Sequence, residues 1–131
     1  MADTVTLIST ESFAVSNTLI GDKVKGDAYF GQSDGLHTIL VDLNDFIGKV
    51  VIQGSLETTP GDNDWFDIDL SDADFTVDVS GLVTKRVQDH LTYAVAETSK
   101  KNYNVTGNFV WLRANISTWT GGTINRIEMN R

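Results

Sequence analysis

Residues 110–129 read V-W-L-R-A-N-I-S-T-W-T-G-G-T-I-N-R-I-E-M. Two alternating runs flank Thr120-Gly121-Gly122-Thr123. A glycine pair between such runs predicts a tight hairpin, because glycine supplies the positive φ that a two-residue turn requires. With Gly121 and Gly122 as the loop, Thr120 opposes Thr123, Ile116 faces Ile127 and Ala114 faces Met129. The other face then sets Trp119 against Ile124, Ser117 against Arg126 and Asn115 against Glu128, with Arg113 diagonal to Glu128. One register matches apolar to apolar and polar to polar, which points to antiparallel sheet.

The same period of two runs through the rest of the chain, broken at short intervals by turn residues. Val5 and Leu7 alternate with threonines, and Phe13 and Val15 follow. A strand is expected over 36–43, apolar enough on both faces to be central. Val50, Ile52 and Leu56 mark the inner face of 49–57; Phe66, Ile68 and Leu70 mark that of 65–70. Phe75, Val77 and Val79 repeat the pattern, as do Leu91, Tyr93 and Val95. Turns are expected at Gln32-Ser33-Asp34-Gly35 and at Asn44-Asp45-Phe46-Ile47-Gly48, and a loop over 58–64 holds the sole proline, Pro60. No segment carries helical periodicity or the length of a crossover. The expectation is an all-β domain over 1–131: an antiparallel β-sandwich of jelly-roll type, with eight to ten short strands and little or no helix. An immunoglobulin-like sandwich is the alternative, without its cysteine pair.

Composition narrows the function. The 131 residues include no cysteine, which removes disulfides, thiolate nucleophiles and Cys-type zinc sites. Eighteen acidic against ten basic side chains give a net charge of −8, which argues against direct nucleic-acid binding. No signal-peptide pattern opens the chain and no apolar run is long enough to span a membrane.

The aspartates concentrate at Asp62, Asp64, Asp67, Asp69, Asp72, Asp74 and Asp78. Oxygen-rich loops suit calcium, and Asp62-Asn63-Asp64 begins like an EF-hand loop. Phe66 and Asp67 then stand where a ligand and a glycine are required, so calcium at Asp62, Asp64 and Asp67 is the minor reading and no cofactor is expected. Alternating, solvent-facing strand positions are the major one. His37 and His90 lack visible partners, since Asp89 and His90, if on a strand, point to opposite faces. No nucleophile elbow or phosphate loop occurs, so no catalytic residue is assigned and no enzyme is expected. Among the aromatics, Trp119 near the hairpin tip, Trp65 and Tyr103 are the candidates for outside contact or for stacking on a sugar, while Trp111 is expected in the core.

An ordered series of segments resembles structural proteins of tailed bacteriophages. It comprises Gly26-Asp27-Ala28-Tyr29-Phe30-Gly31, Asp34-Gly35-Leu36-His37-Thr38, Asp64-Trp65-Phe66-Asp67-Ile68 and Thr106-Gly107-Asn108-Phe109-Val110-Trp111-Leu112-Arg113-Ala114. The resemblance implies a virion component assembled in a host bacterial cytoplasm, with other virion proteins as partners, major capsid or tail proteins among them. It brings no catalytic residues. Capsid decoration (cement) is the favoured role; a tail, baseplate or fibre module, or a carbohydrate-binding module for host adsorption, is the alternative. A homo-oligomer is expected, a trimer being one arrangement. The acidic face would meet solvent, leaving Lys100, Lys101, Arg113 and Arg126 for subunit or capsid contacts.

Overall fold

A computed structural model describes residues 4–12, 18–31, 35–72, 76–77, 79–81, 83–84 and 87–130. In chain order the strands are β1 (Thr4–Ile8), β2 (Glu11–Ser12), β3 (Leu19–Ile20), β4 (Val24–Lys25), β5 (Leu36–Ser55), β6 (Phe66–Asp67), β7 (Leu70–Asp72), β8 (Thr76–Val77), β9 (Val83–Thr84), β10 (Val87–Gln88), β11 (Leu91–Thr106) and β12 (Trp111–Asn130). One 3-10 turn, Asp27–Phe30, lies between β4 and β5. All pairings among the described residues are antiparallel, as the alternation predicts. The main sheet runs β1-β12-β5-β11-β7-β10, with β2, β3 and β4 also on β12 and β6 on β5; β8 and β9 pair with each other.

The expected hairpin at Gly121-Gly122 does not form. Strand β12 continues through both glycines and pairs with β5 on either side of them, with the register shifting around Gly121 and Gly122. Ile116 stands opposite Val50 and Ile127 opposite Val41, so the two isoleucines belong to different arms of one strand. The glycine pair answers a different need. Gly122 has φ +84°, and a Cβ there would overlap the Asp45 carbonyl of β5. The expected turn at 44–48 is likewise absent: β5 continues through it, with Asp45 at φ +52°.

These irregularities fold the sheet. The side chains that β5 gives to the core cluster are Ile39, Val41 and Leu43, then Phe46, Val50 and Ile52, with His37 buried on the first arm and Val51 and Ser55 buried outside the cluster. The inward face switches from odd to even numbers across Asn44-Asp45, because one extra residue reverses every later side chain. Strand β12 changes phase three times, from Leu112, Ala114 and Ile116 to Trp119, then to Ile124, then to Ile127 and Met129, with register shifts between Ser117 and Gly121, Gly121 and Thr123, and Ile124 and Arg126, and with Thr118 at φ +47°. In β11, Tyr93 to Glu97 spans only Gly48 to Phe46 on β5, which extrudes Ala94, Val95 and Ala96. Val95 is 79% exposed, against the expectation of an inner-face residue. The bulges stand side by side across three strands. Both arms of β5 supply one core cluster, so the two layers of the sandwich are the two halves of the same strands, folded at a corner. Phe46 fills that corner, its ring 5.9 Å from those of Tyr93 and Trp119.

The described residues 4–12 and 18–25 contribute four short strands. They pair with β12 at Asn130, Ile124, Ile116 and Leu112 in turn, tracking β12 from one end to the other. Strand β5 is central in the pairing, but only one face of 36–43 enters the core; Leu36 and Leu56 are exposed. Ile68 and Leu70 are buried as expected, whereas Phe66 is exposed. The expected features at Phe13, Val15, Gln32-Ser33-Asp34, Phe75, Asp74 and Asp78 lie outside the described residues.

Candidate functional site

Lys23-Val24-Lys25 alternates, so Val24 turns toward the core while both lysines share the outward side. Strand β4 sets Val24 beside buried Leu112 and Lys25 beside Trp111, which places the Trp111 ring outward. The 3-10 turn that follows is tied down by the Gly26 and Ala28 amides, which donate to the carbonyls of Val110 (2.9 Å) and Phe109 (3.2 Å). Gly31 closes the turn in the left-handed conformation. Tyr29 then meets Trp111 edge-on at 5.2 Å and Phe30 at 5.4 Å.

Two cations cap this aromatic group, and a third, Arg113 on the same strand as Trp111, caps Trp65. Lys23 Nζ lies 4.6 Å from the Trp111 ring centre, Lys25 Nζ 4.5 Å from that of Tyr29, and the Arg113 guanidinium 4.1 Å from that of Trp65. Such pairs occur about once per 70–80 residues, so three within one patch is a concentration. Arg113 Nε also donates to Gln53 Oε1 (2.9 Å), and Gln53 Nε2 donates to Asp67 Oδ1 (3.1 Å). Trp111 Nε1 donates to the Thr58 carbonyl at 2.9 Å. Partial burial pulls the Arg113 pKa below its ordinary value, opposed by the Asp62 charge. Tyr29 and Phe30 remain 41% and 50% exposed. The patch is therefore rigid, aromatic and cationic, on a chain of net charge −8.

The same turn buries Asp27. Its amide donates to His37 Nε2 (3.4 Å), and its Oδ1 stands 3.7 Å from that nitrogen. Because Nε2 accepts, the neutral ring carries its proton on Nδ1. Asp27 Oδ1 and His37 Nδ1 are buried without a hydrogen-bond partner among the described residues. Burial lowers the His37 pKa from its ordinary 6.5, more than the nearby Asp27 charge raises it. An uncharged imidazole thus sits beneath the patch.

The residues singled out from sequence are scattered. Trp119 is 2% exposed and Tyr103 5%, so neither presents a ring face outside; the tip expected at Trp119 is instead the inner corner of the sheet. Trp65 is half-buried with one ring face under Arg113. Trp111, expected in the core, faces outward. Arg113 belongs to the patch; Arg126 lies on the other arm of β12, 3.4 Å from Asp42 and 3.1 Å from Glu128. Lys100 and Lys101 are exposed on β11, Lys101 at 4.0 Å from Glu97. Asp64 accepts from the Gly61 amide within a turn and Asp67 from Gln53. Among the described residues no three acidic or histidine side chains are grouped to hold a metal. Asp89 and His90 do meet, at 2.7 Å, because they precede β11 in a bend rather than alternating along a strand. That bond holds Asp89 below the usual carboxylate range. Lys23 and Lys25 were legible as a pair from their spacing; the Asp27–His37 contact has no signal in sequence.

No family model matches the chain, and no curated protein matches it. A solved structure does: the crystal structure of the SPBc2 prophage-derived protein YomS, with a TM-score of 0.51 at 7% identity, over 99% of this chain and 93% of that one. The two share a fold. Among the described residues no helix is long and apolar enough to cross a membrane.

Proposed function

We propose that this chain is a non-enzymatic structural protein of a bacteriophage particle, acting through contacts with other virion proteins, and that its place is on the capsid as a decoration protein. The observation that supports this most is the likeness of fold to a prophage-derived protein across almost the whole length of both chains. The segments that resemble tailed-phage structural proteins add to it, since they supply the 3-10 turn, β6 and the start of β12, the elements that build the patch. Ile20, Phe30, Leu56, Val87 and Val95 are exposed apolar side chains that neighbouring subunits can cover. A carbohydrate-binding role is the weaker reading, because the rings a sugar would stack on already carry cations.

The test is to purify particles from the phage or prophage that encodes the chain. The chain is expected to co-sediment with them at a copy number set by shell symmetry. A reconstruction is expected to show it on the head; density on the tail would move it to the baseplate or fibre role. Particles devoid of the chain in cells that express it would overturn the reading.

A further inference from the structure

We propose that the buried Asp27–His37 pair is a proton-operated switch: a proton taken up by His37 moves the 3-10 turn, and with it the Tyr29 and Phe30 rings of the surface patch. The device belongs to the fold and stands apart from the particle reading. In the neutral arrangement the Asp27 amide donates to His37 Nε2 at 3.4 Å. The ring's own proton is on Nδ1, so Nε2 is the atom that receives a second one. Once Nε2 carries a proton it no longer accepts. Two N–H groups then face each other where one hydrogen bond stood, and the buried Asp27 amide loses its acceptor, which is unfavourable. A new acceptor stands close by. Asp27 Oδ1 is 3.7 Å from Nε2, buried and without a hydrogen-bond partner among the described residues. A charge-assisted bond between them needs that distance shortened to about 2.8 Å. The same proton therefore breaks a backbone bond of the turn and offers a side-chain ion pair in its place. The two arrangements exclude each other, which is what a two-state element requires.

The turn yields sooner than the ring. His37 is held in β5, paired with Val105 of β11, and its fully buried imidazole lies 6.5 Å from the Phe109 ring. The turn is a single four-residue piece, tied by the Gly26 and Ala28 amides to Val110 and Phe109 on either side of the Asp27 amide. Tyr29 and Phe30 follow Asp27 directly, and their rings meet each other and Trp111, so a shift at Asp27 reaches the exposed face. The charges around the imidazole are few. Val105 and Phe109 are apolar, and Leu36 and Thr38 beside it on β5 are uncharged, as is Asn130 of β12 opposite Thr38. Lys25 of β4 sets its Nζ over the Tyr29 ring, and Tyr29, the other titratable group of the turn, turns its ring to Trp111. Asp27 favours the protonated ring and burial disfavours it more, so His37 titrates below 6.5. The neutral arrangement holds at pH 7 and the protonated one takes over as pH falls.

Nuclear magnetic resonance of the full chain, from about pH 7.5 down to about pH 4.5, tests this. The Tyr29 and Phe30 ring resonances and the Ala28 amide are expected to move with the midpoint of the His37 ring. In His37→Gln, whose side-chain carbonyl accepts from the Asp27 amide and does not titrate, they are expected to stay still. Asp27→Asn removes the carboxylate and is expected to lower the His37 and Tyr29 midpoints together, by about half a pH unit or more. A His37 that titrates while Tyr29 and Phe30 stay still overturns the switch. So do rings that follow exposed His90, or that move equally in His37→Gln. If His37→Gln folds poorly, Asp27→Asn decides: a Tyr29 midpoint left at the wild-type value overturns the proposal. Core Ile39 and Leu70 resonances that shift in step with Tyr29 mean global unfolding and overturn it as well.

Discussion

At Gly122 and Gly121 two identical side chains do different work. Gly122 needs both its positive φ and the space beside the Asp45 carbonyl, while a Cβ at Gly121 would meet only Ile47 Cδ1 at 3.9 Å. Gly122→Ala is therefore expected to cost about 2 kcal/mol or more in urea unfolding, and Gly121→Ala less than about 1 kcal/mol. A hairpin with these glycines as its loop would penalise both. His37 sets a second test. Its folded pKa lies below the unfolded 6.5, so the unfolded chain takes up the proton first as pH falls. Stability contributed by the neutral ring is present above 6.5 and is lost as pH drops toward the lowered value. The expected slope is at most about 1.4 kcal/mol per pH unit for this one proton, measured between about pH 7 and pH 5. His37→Gln should flatten that slope. The pair was invisible in sequence because Asp27 sits in a glycine-bounded charged stretch that reads as exposed turn; only the amide contacts to Val110 and Phe109 pull it inward.

Strand character was legible at the level of the element, and strand ends were not. Alternation over 110–129 correctly marks two arms of sheet, since period two reports which side chains share a face. A break in that alternation reports only that the phase has slipped. A turn and a bulge both slip it, and which occurs depends on whether a partner strand continues alongside. For β12 the partner is β5, some 60 to 90 residues away along the chain, so local pattern could not choose. The same ambiguity exchanged Trp111 with Trp119: a tip at 121–122 would have put Trp119 outside, whereas a corner puts it against Phe46. Phe46→Ala is expected to remove about 3–5 kcal/mol in the same unfolding assay, because it empties the point where β5, β11 and β12 bend together. Deleting Val95, which the bulge extrudes, is expected to disturb β11 alone and to shift the midpoint much less than Phe46→Ala does.

On the scale of the whole molecule, the −8 charge is distributed rather than uniform. Composition revealed the excess of acid; it could not reveal that the few bases at Lys23, Lys25 and Arg113 converge, because convergence comes from β4 and β6 flanking the β12–β5 pair. The pairing of β1, β2, β3 and β4 with β12 has one further consequence. Strands β1, β2, β3 and β4 each pair with β12 and with no other strand among the described residues. These four strands meet their strand partner, among the described residues, only once the segment from Trp111 to Asn130 has been made. A fragment ending at Phe109 keeps the β5–β11 pairing but lacks the strand that β1 to β4 pair with, so its sheet signal by circular dichroism is expected to fall short of the full chain's. Until then these short strands are unpaired edges, the kind of surface on which strands of another chain can add.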